Sequence, residues 1–216
     1  MSNQKSVNLS DFENSKLNEL DFDLGILLEL GSIGAGHAAT ALSEILREQI
    51  SIDVPKILTI QTHLVPKFFN KDDVPTIAVY LQLAGTFGCD ILLMFEVSEA
   101  KKIAAMMTMV SSAEELDPEM ETSAIHELAN IVIGSFLTAI SDFIGISLLP
   151  TTPCSVTDTF GSIIDDFLIK QSLVSENALL FETRFKRRDE ESRSTLMIFP
   201  SQELKEHVTQ KSKLML

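Results

Sequence analysis

Cysteine is scarce in this 216-residue chain: Cys89 and Cys154 are the only two, and no Cys-x-x-Cys pair occurs. Disulfide stapling and a thiol redox motif are therefore not expected, and a reducing, cytoplasmic setting is. Basic charge is also short, with 17 Lys and Arg against 31 Asp and Glu and a formal net charge of -14. No basic stripe is available to neutralise phosphates, so neither nucleic acid nor an anionic membrane is an expected partner. The opening residues MSNQKSVNLSDFENSK lack the apolar core of a signal peptide. The uncharged runs 30–43 and 128–141 stop at 14 residues, short of the roughly 18–20 a membrane span needs, and both read as buried helices. His37, His63, His126 and His207 show no metal-ligand spacing, and no glycine-rich phosphate loop occurs. No cofactor or metal is expected on this chain.

What remains is ordinary globular material, 45% apolar and 22% charged, enough for a sizeable core. Residues 1–18 are polar and read as a flexible leader. From Asp21 to about Gln49 apolar residues recur at helical spacing, and Pro55 is expected to stop any helix. Lys56–Val65, Thr76–Leu83 and Cys89–Val97 carry strand composition, with a hairpin around Ala84–Gly88. Ser98 reads as the cap of a helix over Glu99–Val110. Further on, Asn177–Phe185 and Thr195–Phe199 read as strands flanking a charged, exposed tip at Lys186–Ser194, followed by a capped helix Ser201–Val208. Cys89 and Cys154 are expected as core thiols, and Met106, Met107 and Met109 as core filler.

The strongest internal signal is a repeat at an offset of 98 residues. From Glu29 and Glu127 onward, 8 of 27 aligned positions are identical: Glu29/Glu127, Leu30/Leu128, Ile33/Ile131, Gly36/Gly134, Thr40/Thr138, Ala41/Ala139, Ser43/Ser141 and Pro55/Pro153. Two copies of one unit, about residues 20–110 and 118–208, would fill one pseudo-symmetric body spanning 19–208, with 209–216 as a tail.

On a helical wheel with Ser123 at zero, Glu127 falls near about +40°, Asn130 near −20°, Gly134 near +20° and Ser141 near zero. The opposite side collects Ile125, Leu128, Val132, Phe136, Ala139 and Ile140, an apolar stripe suited to packing on a sheet. The polar stripe therefore faces out, and Gly134 leaves room for another backbone to approach. His126 sits at its flank.

At this point the chain resembles the CheC/CheX/FliY family of phosphatases acting on the phosphorylated chemotaxis response regulator CheY, and CheC-type members most closely. The family pattern is an Asp or Ser, three residues, Glu, two residues, Asn, then 22 residues and Pro, carried twice. The second copy is complete in Ser123, Glu127, Asn130 and Pro153. The first keeps Glu29 and Pro55 but has Gly25 and Ser32 where an acidic or hydroxyl residue and Asn are usual. The resemblance covers about residues 20–205.

It implies an α+β, CheC-like fold with pseudo-two-fold symmetry, in which two long motif-bearing helices lie on an antiparallel β-sheet. It implies an aspartyl-phosphate phosphatase in which Asn130 holds the attacking water, Glu127 pairs with the regulator, and Ser123 and Pro153 support the helix and its surroundings. Mg²⁺ is expected in the response regulator rather than here. A weak or dead first site is expected from Glu29, Ser32 and Pro55, since Ser32 lacks the amide. CheY and the receptor deamidase CheD are the implied partners. The alternative is a non-catalytic adaptor, in the manner of the related fold in the switch protein FliM.

Overall fold

A computed structural model describes residues 24–69, 73–83, 85–110, 116–171, 177–188 and 190–214; the leader 1–18 lies outside them. Helix α1 (Leu24–Leu46) opens the fold and strand β1 (Ile50–Gln61) follows at once. Pro55 does not stop the helix, as the sequence suggested. Arg47, in the left-handed region at φ 52°, stops it, and Pro55 lies inside β1 at a register shift between Asp53 and Lys56. Among the described residues β1 pairs only with one neighbour, and a bulge on an edge strand is where a residue without an N–H is tolerated. The expected strand through Val65 ends at Gln61, giving way to a 3₁₀ turn (Thr62–Leu64) and the short helix α2 (Val65–Phe69).

β2 (Pro75–Leu83) and β3 (Cys89–Glu96) form the expected hairpin, paired from Thr76↔Glu96 to Leu83↔Cys89. In its turn Gly85 takes φ +100°, open to glycine and strained for other residues. Helix α3 (Val97–Thr108) begins at Val97, so Ser98 is inside it and the N-cap position falls to Glu96, whose side chain makes no capping hydrogen bond. Met106 and Met107 pack against the core as expected. Met109 does not: it is the left-handed C-cap and stands exposed.

Helix α4 (Pro118–Ile144) is built for its start. Asp117 accepts a hydrogen bond from Met120 N, Pro118 needs no donor in the first turn, and Glu119 and Glu121 face the positive helix end. Gly145, at φ +75°, closes it. β4 (Cys154–Thr159) and α5 (Phe160–Gln171) come next, neither anticipated from sequence. β5 (Asn177–Arg187) and β6 (Glu190–Pro200) then run almost to each other. The charged tip is therefore mostly strand, with Lys186 in register with Glu191 and Arg187 with Glu190. Ser201 caps α6 (Gln202–Lys213) through Leu204 N, and the helix carries residues 209–213 that had read as tail.

All strand pairs are antiparallel, in the order β1-β5-β6-β3-β2-β4. Exchanging β1 with β4, β2 with β5 and β3 with β6 reverses this order and leaves it otherwise unchanged. One face of the sheet packs against α1, α3, α4 and α6 through a core that includes Leu42, Leu128, Val132 and Phe136. The other is covered in part by α2 and α5 through Val65, Ile164 and Leu168. Two hydrogen bonds recur at the 98-residue offset. Ser43 Oγ accepts from Ile50 N at 3.0 Å and Ser141 Oγ from Leu148 N at 3.1 Å. Thr40 donates to Gly36 O at 2.9 Å and Thr138 to Gly134 O at 2.8 Å. Helices α1 and α4 are long and apolar enough to span a membrane by composition, more so than their uncharged runs suggested. Here their apolar sides are buried against each other and the sheet.

Candidate functional site

Helix α4 separates its two sides as the wheel predicts. Ile125, Leu128, Val132, Phe136 and Ala139 are buried, while Ser123, Glu127 and Asn130 are exposed. Burying the apolar row sets the rotation of the rod, so the polar row is presented to solvent. Pro118, Ser123, His126, Glu127 and Asn130 line one shallow, open depression. Among the described residues no side-chain hydrogen bond or ion pair holds Glu127 or Asn130, which leaves carboxylate and carboxamide available to an incoming group. Ser141 does not share this outward role, since it is half-buried and its hydroxyl receives Leu148 N.

Pro153 is half-buried at the end of the connection from α4, immediately before β4. Thr151 N donates to Gln82 O at 2.8 Å and Gln82 N to Thr151 Oγ1 at 3.1 Å, which ties that connection to β2. Two residues past Pro153, Ser155 Oγ lies 2.8 Å from His126 Nε2. The flank histidine that sequence reading set aside is thus joined to the strand beyond the motif proline. Its one sequence signal was its place between Ser123 and Glu127 at the edge of the polar stripe.

The first motif is arranged differently. Gly25, Glu29 and Ser32 are exposed on α1, but Ser32 Oγ donates to Leu28 O, one turn back, at 2.8 Å. Its hydroxyl is turned onto its own helix and is too short to match the reach of Asn130. Pro55 lies within β1 rather than before its strand, so the two prolines hold unlike positions despite equal spacing.

Other polar groups are structural. Tyr80 OH donates to Asp90 Oδ1, and Gln82 Nε2 donates to the same oxygen at 3.1 Å. Burial first, then that carboxylate, holds the Tyr80 phenol above its usual range. Burial pushes the Cys89 thiol up as well, which suits a core thiol rather than a nucleophile. Cys154 corrects the expectation of a second core thiol, for it is exposed on β4. Among the described residues no three His, Cys, Asp or Glu side chains converge as a metal site.

This architecture is that of the Thermotoga maritima FliY crystal structure, with TM-score 0.67 and 24% identity over 87% of this chain and 96% of that one. The CheC-like family model matches residues 120–156, which contain Ser123, Glu127, Asn130 and Pro153. The chain is 32% identical over 178 residues to the CheY-P phosphatase CheC of Bacillus subtilis (strain 168), covering 81% of this chain and 83% of that protein. It is 31% identical over 116 residues to the flagellar motor switch phosphatase FliY of the same organism, covering 52% of this chain and 30% of that protein. The chain belongs to the CheC-like family.

Proposed function

We propose that this chain is a cytoplasmic protein-aspartyl-phosphate phosphatase whose substrate is a phosphorylated response regulator of the CheY type, and that its working site is Glu127 and Asn130 on α4. The observation that carries the reading is the exposure of these two side chains, less than one helical turn apart, on a rod whose opposite side is locked in the core. The 32% identity to a CheY-P phosphatase supports it.

Hydrolysis of an acyl phosphate needs a water held in line with the leaving carboxylate oxygen. Attack of that water forms the new P–O bond, the aspartyl C(O)O–P bond breaks, and the products are inorganic phosphate and the free carboxylate. A carboxamide suits the positioning task. Asn130 can accept a hydrogen bond from the water through Oδ1 and donate to a phosphoryl oxygen through Nδ2, with no strong base required. Glu127 offers an acceptor for a basic side chain of the regulator, which sets register; Ser123 supports the contact. Mg²⁺, in the regulator's own pocket, balances phosphoryl charge.

The first motif is a weak or inactive site, because Ser32 is back-bonded to Leu28 O and has no amide. That same degeneration favours a second reading, an adaptor that binds CheD or motility-switch components without hydrolysis. The two separate in one assay. Purified chain is added to a CheY-type regulator loaded with acetyl phosphate, and loss of the phosphoryl group is followed. Acceleration above the regulator's own rate supports the phosphatase; binding without acceleration leaves only the adaptor.

A further inference from the structure

The His126–Ser155 contact joins α4 to β4 across 29 residues of chain, and its histidine lines the depression that holds Glu127 and Asn130. Among the described residues β4 is the terminal strand of the sheet, paired only with β2, and its side chains are exposed nearly throughout. Ser155 is paired with Val79 in that ladder, so its position is set by backbone hydrogen bonds rather than by packing. His126 lies on α4 three residues after Ser123 and four before Asn130, within the same turn-to-turn column. The contact thus ties the exposed half of the motif helix to a strand whose place is fixed independently.

At the 98-residue offset the corresponding pair is Leu28 and Ile57. Leu28 is exposed and Ile57 packs near Gly31, and neither side chain can hydrogen-bond. The tether exists only beside the complete motif, the same half that keeps the amide.

We infer that His126 and Ser155 form a positioning pair that holds the outward row of α4 at a fixed distance from the β4 edge, so that Asn130 meets the phosphoryl group in one orientation. Neither residue takes part in the bond making. A serine hydroxyl can donate to or accept from an imidazole nitrogen, so the tether holds in either ring tautomer. The inference rests on the phosphatase reading above. It also accounts for part of the motif's spacing, because Pro153 delivers the chain to β4 two residues before the tether point.

The test is steady-state dephosphorylation of a CheY-type regulator by the full chain carrying Ser155→Ala, His126→Leu, both together, or Ser155→Thr. Ser155→Ala is expected to lower kcat about tenfold with KM within about twofold, the pattern of a misaligned group rather than of lost docking. The double variant is expected to be no slower than either single one, because both remove one contact. Ser155→Thr, which keeps the hydroxyl, is expected to restore the rate. Wild-type rates in Ser155→Ala, additive losses in the double variant, or a loss confined to KM would each overturn the positioning role, the last by making His126 a docking contact. A wild-type chain that accelerates nothing rejects the phosphatase reading itself, an outcome distinct from all of these.

Discussion

Gly34 and Phe136 meet where α1 crosses α4: a Cβ placed on Gly34 would lie 2.8 Å from the Phe136 Cα. Gly36, one half-turn on, has no atom within 4 Å of the same position. Gly34→Ala must therefore push two backbones apart and is expected to cost about 1–3 kcal/mol, the range for overpacking a core. Gly36→Ala is expected to be neutral or to stabilise by about 0.5–1 kcal/mol through helix propensity. Denaturant unfolding of both variants checks the pair; equal effects would mean that the helices do not cross at Gly34.

Gly134 is the counterpart of Gly36 and likewise has open space where a Cβ would go. In the free protein Gly134→Ala is expected to leave stability unchanged or slightly higher. Against a phosphorylated regulator it is expected to raise KM, because the added methyl stands on the row that the partner approaches. A stability loss with unchanged KM would place the crowding inside the chain instead.

Glu48 joins the end of the α1–β1 connection to the β5–β6 tip, at 2.5 Å from Arg187 Nε and 2.7 Å from a terminal nitrogen of Arg188. The Arg187 hydrogen bond, chiefly, holds its carboxyl below the ordinary 4.5, against a smaller opposing effect of burial. A carboxyl whose folded pKa is depressed stabilises the fold above its unfolded pKa and loses that contribution as pH falls through the folded value. Glu48→Gln is thus expected to lower the unfolding midpoint at pH 7 and to converge with wild type in acid below 4.5. A gap that stays constant from pH 7 into acid would show that the ion pairs contribute nothing.

The first motif gives a gain-of-function experiment. Ser32→Ala removes a back-bonded hydroxyl and is expected to leave dephosphorylation unchanged. In an Asn130→Ala background, Ser32→Asn is expected to recover part of the lost rate by supplying an amide on α1. A strong loss from Ser32→Ala alone would mean that the first site works without its amide.

The motif face was legible in the sequence because it depends on one period. The burial of Ile125, Leu128 and Val132 opposite Glu127 and Asn130 follows from helical spacing and nothing else. The β2–β3 hairpin was legible for a different reason, two continuous apolar runs of strand composition on either side of Gly85 and Gly88. β4 was not: CSVTDT is exposed almost throughout, so no alternation marks it, and its place is set by pairing with β2 from Pro75↔Thr159 to Tyr80↔Cys154. The strand character of the Lys186–Ser194 region was hidden in its charges, whose partners Glu48 and Asp53 lie far away in sequence and meet Lys186, Arg187 and Arg188 only in the fold. Pro55 was read as a breaker because a local rule cannot see that the strand containing it is an edge. The His126–Ser155 contact spans 29 residues, and the place of His126 beside the polar stripe gave no sign of its partner on β4.

The account turns on the amide of Asn130, and the rate constant of Asn130→Ala on a phosphorylated CheY-type regulator tests it most directly. The expected result is a fall in kcat of about 10²- to 10³-fold, the usual scale for losing one positioning or charge-stabilising contact, with KM within a few-fold and the unfolding midpoint unmoved. Wild-type turnover from Asn130→Ala would contradict the account, since the exposed pair on α4 would then have no part in the chemistry.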